Sequence, residues 1–127
     1  MRDLRSDTGS VIVEQLMTMI LVVVLALGVL QVALAVHVRN TLIESAAEGA
    51  RLAARGDREL ADGAARAESL AHESLGGLEV SAAAADATIA GMPAVEVTLT
   101  APVPVLGLWG PAESTVRGTA LQEPSSG

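Results

Sequence analysis

Cysteine is absent from the 127 residues, which excludes both a disulfide framework and a thiolate metal site. Phe and Tyr are absent too, and Trp109 is the one aromatic residue. Any core must therefore be packed from Ala, Val and Leu, which bury little area each. Lysine is missing as well: all eight basic residues are arginine. Against them stand 15 carboxylates, giving a formal net charge of -7. Nearly all of that excess lies beyond residue 38, so the C-terminal part is acidic. Such a surface argues against nucleic acid and against anionic lipid as direct partners.

The signatures of catalysis are also missing. There is no phosphate loop, no HExxH and no clustered metal ligands. The two histidines, His37 and His72, have no Asp, Ser or Cys at a recognisable spacing. The expectation is a protein that is not an enzyme and uses no cofactor and no metal.

What the chain does have is one long apolar run. After Gly9-Ser10-Val11-Ile12-Val13-Glu14, no formal charge appears from Gln15 through Val38. As a helix this uncharged run is about 35 Å long, enough to cross a hydrocarbon core of about 30 Å. Backbone groups in lipid must satisfy one another, so a lone spanning segment has to be helical. A buried core helix is the alternative, but a chain this short has too little protein to enclose it. Residues 10–38 are therefore expected to be a transmembrane helix, with the lipid bilayer as its partner. Arg2 and Arg5 on one side and Arg39, Arg51, Arg55 and Arg58 on the other leave the orientation open.

The helical pattern continues past Arg39. Leu42, Ala46, Gly49 and Ala53 repeat at three- and four-residue intervals, predicting a stem helix rich in small residues. Glu48 and Arg51 form an i,i+3 pair. Gly49 costs about 1 kcal/mol against Ala in an exposed helix, and is better tolerated where another backbone packs on it. Gly56-Asp57 is a break and restart, followed by a second helix from about Arg58 to Leu75. Gly63 weakens that helix, and Gly76-Gly77 ends it.

Beyond Leu78 the period falls to two. Residues 78–86 and 93–101 are expected strands, with Gly91-Met92-Pro93 as the turn between them. Val95, Val97 and Leu99 share one face; Glu96, Thr98 and Thr100 share the other. Pro102 and Pro104 are expected to end the second strand or place it at an edge. Residues 106–111 read as a loop, 113–121 as a third strand and 122–127 as a flexible tail. The expected fold class is α+β: a long N-terminal transmembrane helix extended by a stem, then a small domain with a helix and about three antiparallel strands. The expected boundaries are 1–9, 10–38, 39–76, 77–121 and 122–127. With fewer than ninety residues after the fortieth, such a domain is expected to be weakly stable or to borrow stability from partners.

The segment Gly9 to Glu14 followed by an apolar helix resembles the type IV pilin processing region. The stem then reads Ala46-Ala47-Glu48-Gly49-Ala50-Arg51. Together these features resemble the TadE/TadF-like minor pilins, or pseudopilins, of the tight-adherence pilus system, over about residues 8–55. The resemblance implies a prepilin peptidase cutting between Gly9 and Ser10, and assembly assisted by Glu14. It also implies Glu48, Gly49, Ala50 and Arg51 as a packing motif of the stem, and other pilin or pseudopilin subunits as partners. Residues 1–9 would stay cytoplasmic, and the C-terminal domain would lie outside the cytoplasmic membrane. Filaments of this kind serve adhesion, surface colonisation or DNA uptake. The chain departs from the pattern at Gln15, where an aromatic is usual, at Ile20, near where a Pro is common, and at Asp7-Thr8, where a basic residue is usual.

Local chemistry also permits a pairing of subunits. A cut before Ser10 would place the new amino terminus one helical turn from Glu14. The ammonium of one subunit could then meet Glu14 of its neighbour, offsetting the several kcal/mol that an unpaired carboxylate costs in lipid. Two other readings stay open. Ala33-Leu34-Ala35 has the form of a signal-peptidase site, and a cut after Ala35 would release an acidic soluble domain. Alternatively the chain is an uncut, single-pass envelope adaptor.

Overall fold

The computed structural model describes residues 4–103 and 112–124. The expected loop at 106–111, with Trp109 and the neighbouring Pro104, lies outside them, as do residues 1–3 and 125–127. Two helices come first, α1 (Leu4–Ala53) and α2 (Leu60–Ser74). Three strands follow: β1 (Ser81–Ile89), β2 (Met92–Val103) and β3 (Ala112–Leu121). The α+β class with a long apolar N-terminal helix is thus the observed one. The chain divides into two compact units, residues 1–33 and 34–127.

The first unit is helix alone. Its large apolar side chains are all exposed, between 48% and 67% from Val11 to Leu30. Along the most apolar part of α1 no residue is buried, and the helix is long and apolar enough to cross a membrane. A helix without a polar face has no way to sit in water at low cost, so this segment requires an apolar surrounding.

The second unit is built on the small-residue stripe of the stem. Val38, Leu42, Ala46, Ala50 and Ala53 are buried at intervals of three and four, as one helix face requires. They share a core with Ala67 and Ala71 of α2 and with Val95, Val97, Leu99 and Ala101 of β2. Contact between stem and α2 is glycine on glycine. A Cβ on Gly49 would lie 2.5 Å from the Gly63 carbonyl oxygen, and one on Gly63 would lie 2.5 Å from the Gly49 carbonyl oxygen and from Ala53 Cβ. Gly63, which looked like a weakness in α2, is what lets α2 reach the stem.

Both ends of α2 are capped. Asp62 accepts the Glu59 N–H at 3.1 Å. At the C-terminus Gly76 takes φ +64, and the Gly77 N–H reaches the His72 carbonyl at 3.0 Å. That is the six-to-one bond of a Schellman ending.

The sheet is antiparallel in the order β1-β2-β3. Strand β2 is central and ends at Val103, so of the two alternatives expected for Pro102 and Pro104 the strand end fits and the edge position does not; Pro102 is tolerated inside a central strand. The reason lies in the register. Thr100 directs its carbonyl toward β1, where Ser81 Oγ donates to it at 3.4 Å. Pro102, two residues on, faces the same side, but the pairing with β1 ends at Ser81↔Thr100. No ladder bond is therefore lost by its missing N–H.

The expected turn and first strand also shift. The β1–β2 turn is Ala90-Gly91, with φ +50 and +81, between paired Ile89 and Met92. Met92 and Pro93 belong to β2, and β1 runs three residues further than the 78–86 expected for it. Val95, Val97 and Leu99 face the helices as their alternation predicts, while Glu96, Thr98 and Thr100 are half-buried on the opposite face. Beyond β3, the Gln122 N–H bonds to the Pro93 carbonyl and the Glu123 N–H to the Ala54 carbonyl, both at 2.9 Å.

Candidate functional site on the N-terminal helix and stem

The expected site residues fall into two groups along α1. Gly9, Ser10 and Glu14 lie in the first unit, and all three are exposed. Four residues make slightly more than one turn, so Ser10 and Glu14 share a face. They line a shallow groove with Val13, Met17, Thr18 and Leu21. Thr18 Oγ1 donates to the Glu14 main-chain carbonyl at 2.9 Å, satisfying a polar hydroxyl within its own helix. The Glu14 carboxylate itself enters no ion pair or side-chain hydrogen bond among the described residues. Among the described residues nothing meets this carboxylate at the mouth of an apolar helix.

The second group is in the stem. Gly49 and Ala50 are buried, with Ala50 at 0% exposure. Glu48 and Arg51 point outward and are paired, Arg51 Nη1 to Glu48 Oε2 at 3.6 Å. The pair is well exposed, so it adds only a few tenths of a kcal/mol to the helix. The motif therefore splits by chemistry: its small residues face the head domain, and its charges face solvent. Gly118 of β3 completes the packing, because a Cβ there would collide with the backbone of Ala46 and Ala47. Sequence reasoning missed Gly118. Its only signal was a glycine inside a strand pattern, which marks a close backbone approach.

Elsewhere, Glu68, His72, Glu79 and Glu113 border an open groove. His72 Nδ1 donates to the Leu78 carbonyl at 3.3 Å. Among the described residues, no three His, Cys, Asp or Glu side chains are placed to hold a metal ion. His37 is exposed on α1.

The long apolar N-terminal helix is consistent with a single-pass membrane anchor, and the second unit is a small α+β head. Residues 9–51 match the family model described as TadE-like protein. That stretch is about a third of the chain and contains the Gly9–Glu14 region, the apolar helix and the Glu48–Arg51 motif; this chain carries a TadE-like domain. No curated protein and no solved structure matches the chain. The TadE-like domain supports involvement in tight-adherence pilus assembly.

Proposed function

We propose that this protein is a minor pilin or pseudopilin of a tight-adherence pilus, acting as a structural subunit and not as a catalyst. Residues 10–38 cross the cytoplasmic membrane, and the head lies on the extracytoplasmic side. A prepilin peptidase removes residues 1–9 by cutting between Gly9 and Ser10. The observation that carries this reading is the Glu14 carboxylate, unpaired among the described residues, one turn from Ser10, on a helix otherwise clothed in exposed Val, Leu, Ile and Met.

In lipid or in a bundle of apolar helices, that carboxylate costs several kcal/mol unless it meets a cation. The Ser10 ammonium of a neighbouring subunit supplies one. The pair then sets the axial register of helices whose apolar sides specify none, as a single buried polar contact does in coiled coils. The stem motif serves a different end: its small residues pack the stem into the head.

The test is Glu14→Gln, which keeps the shape and removes the charge. Membrane insertion should persist, and incorporation of the protein into pili should be lost. If the Glu14→Gln subunit enters pili as the parent does, the pairing is refuted.

A further inference from the structure

Between α1 and α2 the chain reads Arg55-Gly56-Asp57-Arg58. These four residues close a turn, with the Arg58 N–H donating to the Arg55 carbonyl at 3.1 Å. Residues 55–59 are all exposed. We propose that this turn is an Arg-Gly-Asp recognition site. Its receptor would pair a carboxylate-lined pocket, for the Arg55 guanidinium, with a bound divalent cation, for the Asp57 carboxylate.

Three observations carry the proposal. First, neither Arg55 nor Asp57 is engaged among the described residues: no ion pair or side-chain hydrogen bond uses them. Glu48 and Arg51, a few residues earlier, are paired with each other. Second, the turn is fixed at both feet. Its first foot is held by Arg55 N–H to the Leu52 carbonyl at 3.2 Å, and by Glu123 N–H to the Ala54 carbonyl at 2.9 Å. Its second foot is held by Asp62, which caps the Glu59 N–H at 3.1 Å. A loop already ordered gives up little entropy on binding. Third, the turn is open to solvent: all five residues from Arg55 to Glu59 are exposed.

The chemistry of recognition follows from the three side chains. A guanidinium is a planar fork of donors suited to carboxylates. A carboxylate oxygen is the natural ligand of a hard divalent cation with an open coordination position. Gly56 adds no bulk between them, so a single receptor face can engage both. Metal ligation fixes the carboxylate position closely, and one added methylene at residue 57 should disrupt it.

The role in the cell rests on the extracytoplasmic placement of the head, whereas the binding test does not. The purified full chain in zwitterionic nanodiscs would be titrated against an immobilised integrin ectodomain that reads Arg-Gly-Asp, in the presence of Mn²⁺. The expected result is saturable binding that EDTA abolishes. Asp57→Glu and Arg55→Lys should each weaken it at least tenfold, and Arg66→Lys on α2 should leave it unchanged. Absence of cation-dependent binding, or equal binding by Asp57→Glu, would overturn the proposal. Placement is read separately: trypsin added to intact cells, after outer layers are permeabilised, should cut at Arg55 or Arg58 if the head faces outward. Protection there would overturn the placement and leave the binding result standing.

Discussion

Gly63 and Ala90 show how single residues set the terms of this fold in opposite directions. At Gly63 an added methyl gains about 1 kcal/mol of helix propensity. It must also displace the Gly49 carbonyl and Ala53 Cβ, both 2.5 Å away. Backbone atoms on a packed helix cannot yield cheaply, and overpacking costs about 1–3 kcal/mol. Gly63→Ala should therefore lower stability by up to about 2 kcal/mol net, read as a lower thermal midpoint of the full chain in detergent. At Ala90 the backbone is left-handed, with φ +50. That conformation costs an L-residue about 1–2 kcal/mol. The extra flexibility of glycine in the unfolded chain returns about 0.5–1 kcal/mol of that. Ala90→Gly should thus be stabilising by up to about 1.5 kcal/mol; a lower midpoint would show that the hairpin turn is not as described.

At the scale of elements, the stem packs on α2 and β3 and shares a core with β2. Leu42 is fully buried and is the largest side chain the stem places in the core. Truncation of a buried Leu to Ala costs about 2–5 kcal/mol, depending on how far the site collapses. In a head packed mainly with Ala and Val, that is a large share of a total of about 5–15 kcal/mol. Leu42→Ala should loosen the contact of stem with sheet, seen as faster amide exchange in β2 and β3. Unchanged exchange would mean that the stem does not stabilise the sheet.

The elements also show which features were legible in sequence. The stripe through Leu42, Ala46 and Ala53 was readable because helical period leaves a mark even in small residues. The alternation at Val95, Val97 and Leu99 was readable because polar residues separate them. The four alanines from 82 to 85 carry no alternation, so the limits of β1 were set by its pairing with β2 and not by local pattern. The central place of β2 was hidden because Pro102 signals an edge unless the partner strand's end point is known. The contacts of Gly49 with Gly63 and of Gly118 with the stem were invisible for a related reason. A glycine records the absence of a side chain, not what fills the space. Of the candidate site, the Ser10–Glu14 spacing, the Glu48–Arg51 pair and the place of Gly49 on the small-residue stripe could be seen in the chain, while the identity of the backbone that packs on Gly49 needed the fold.

For the molecule as a whole, two very different environments are joined by one helix. The first unit presents apolar side chains on every side, and the second buries a small core of Ala, Val and Leu. The side chains of the first unit from Val11 to Leu30 are exposed, which suits the proposed partners, lipid or the apolar helices of other subunits. Proteolytic processing at Gly9 would leave that helix with a cation at its end and a carboxylate one turn on. The central claim is that the apolar helix stays with the protein as anchor and assembly element after the leader is removed. Intact-mass measurement of the polypeptide recovered from washed membranes of pilus-forming cells tests it directly. The expected chain begins at Ser10 and retains the whole apolar run; a soluble chain beginning at Val36 would contradict it.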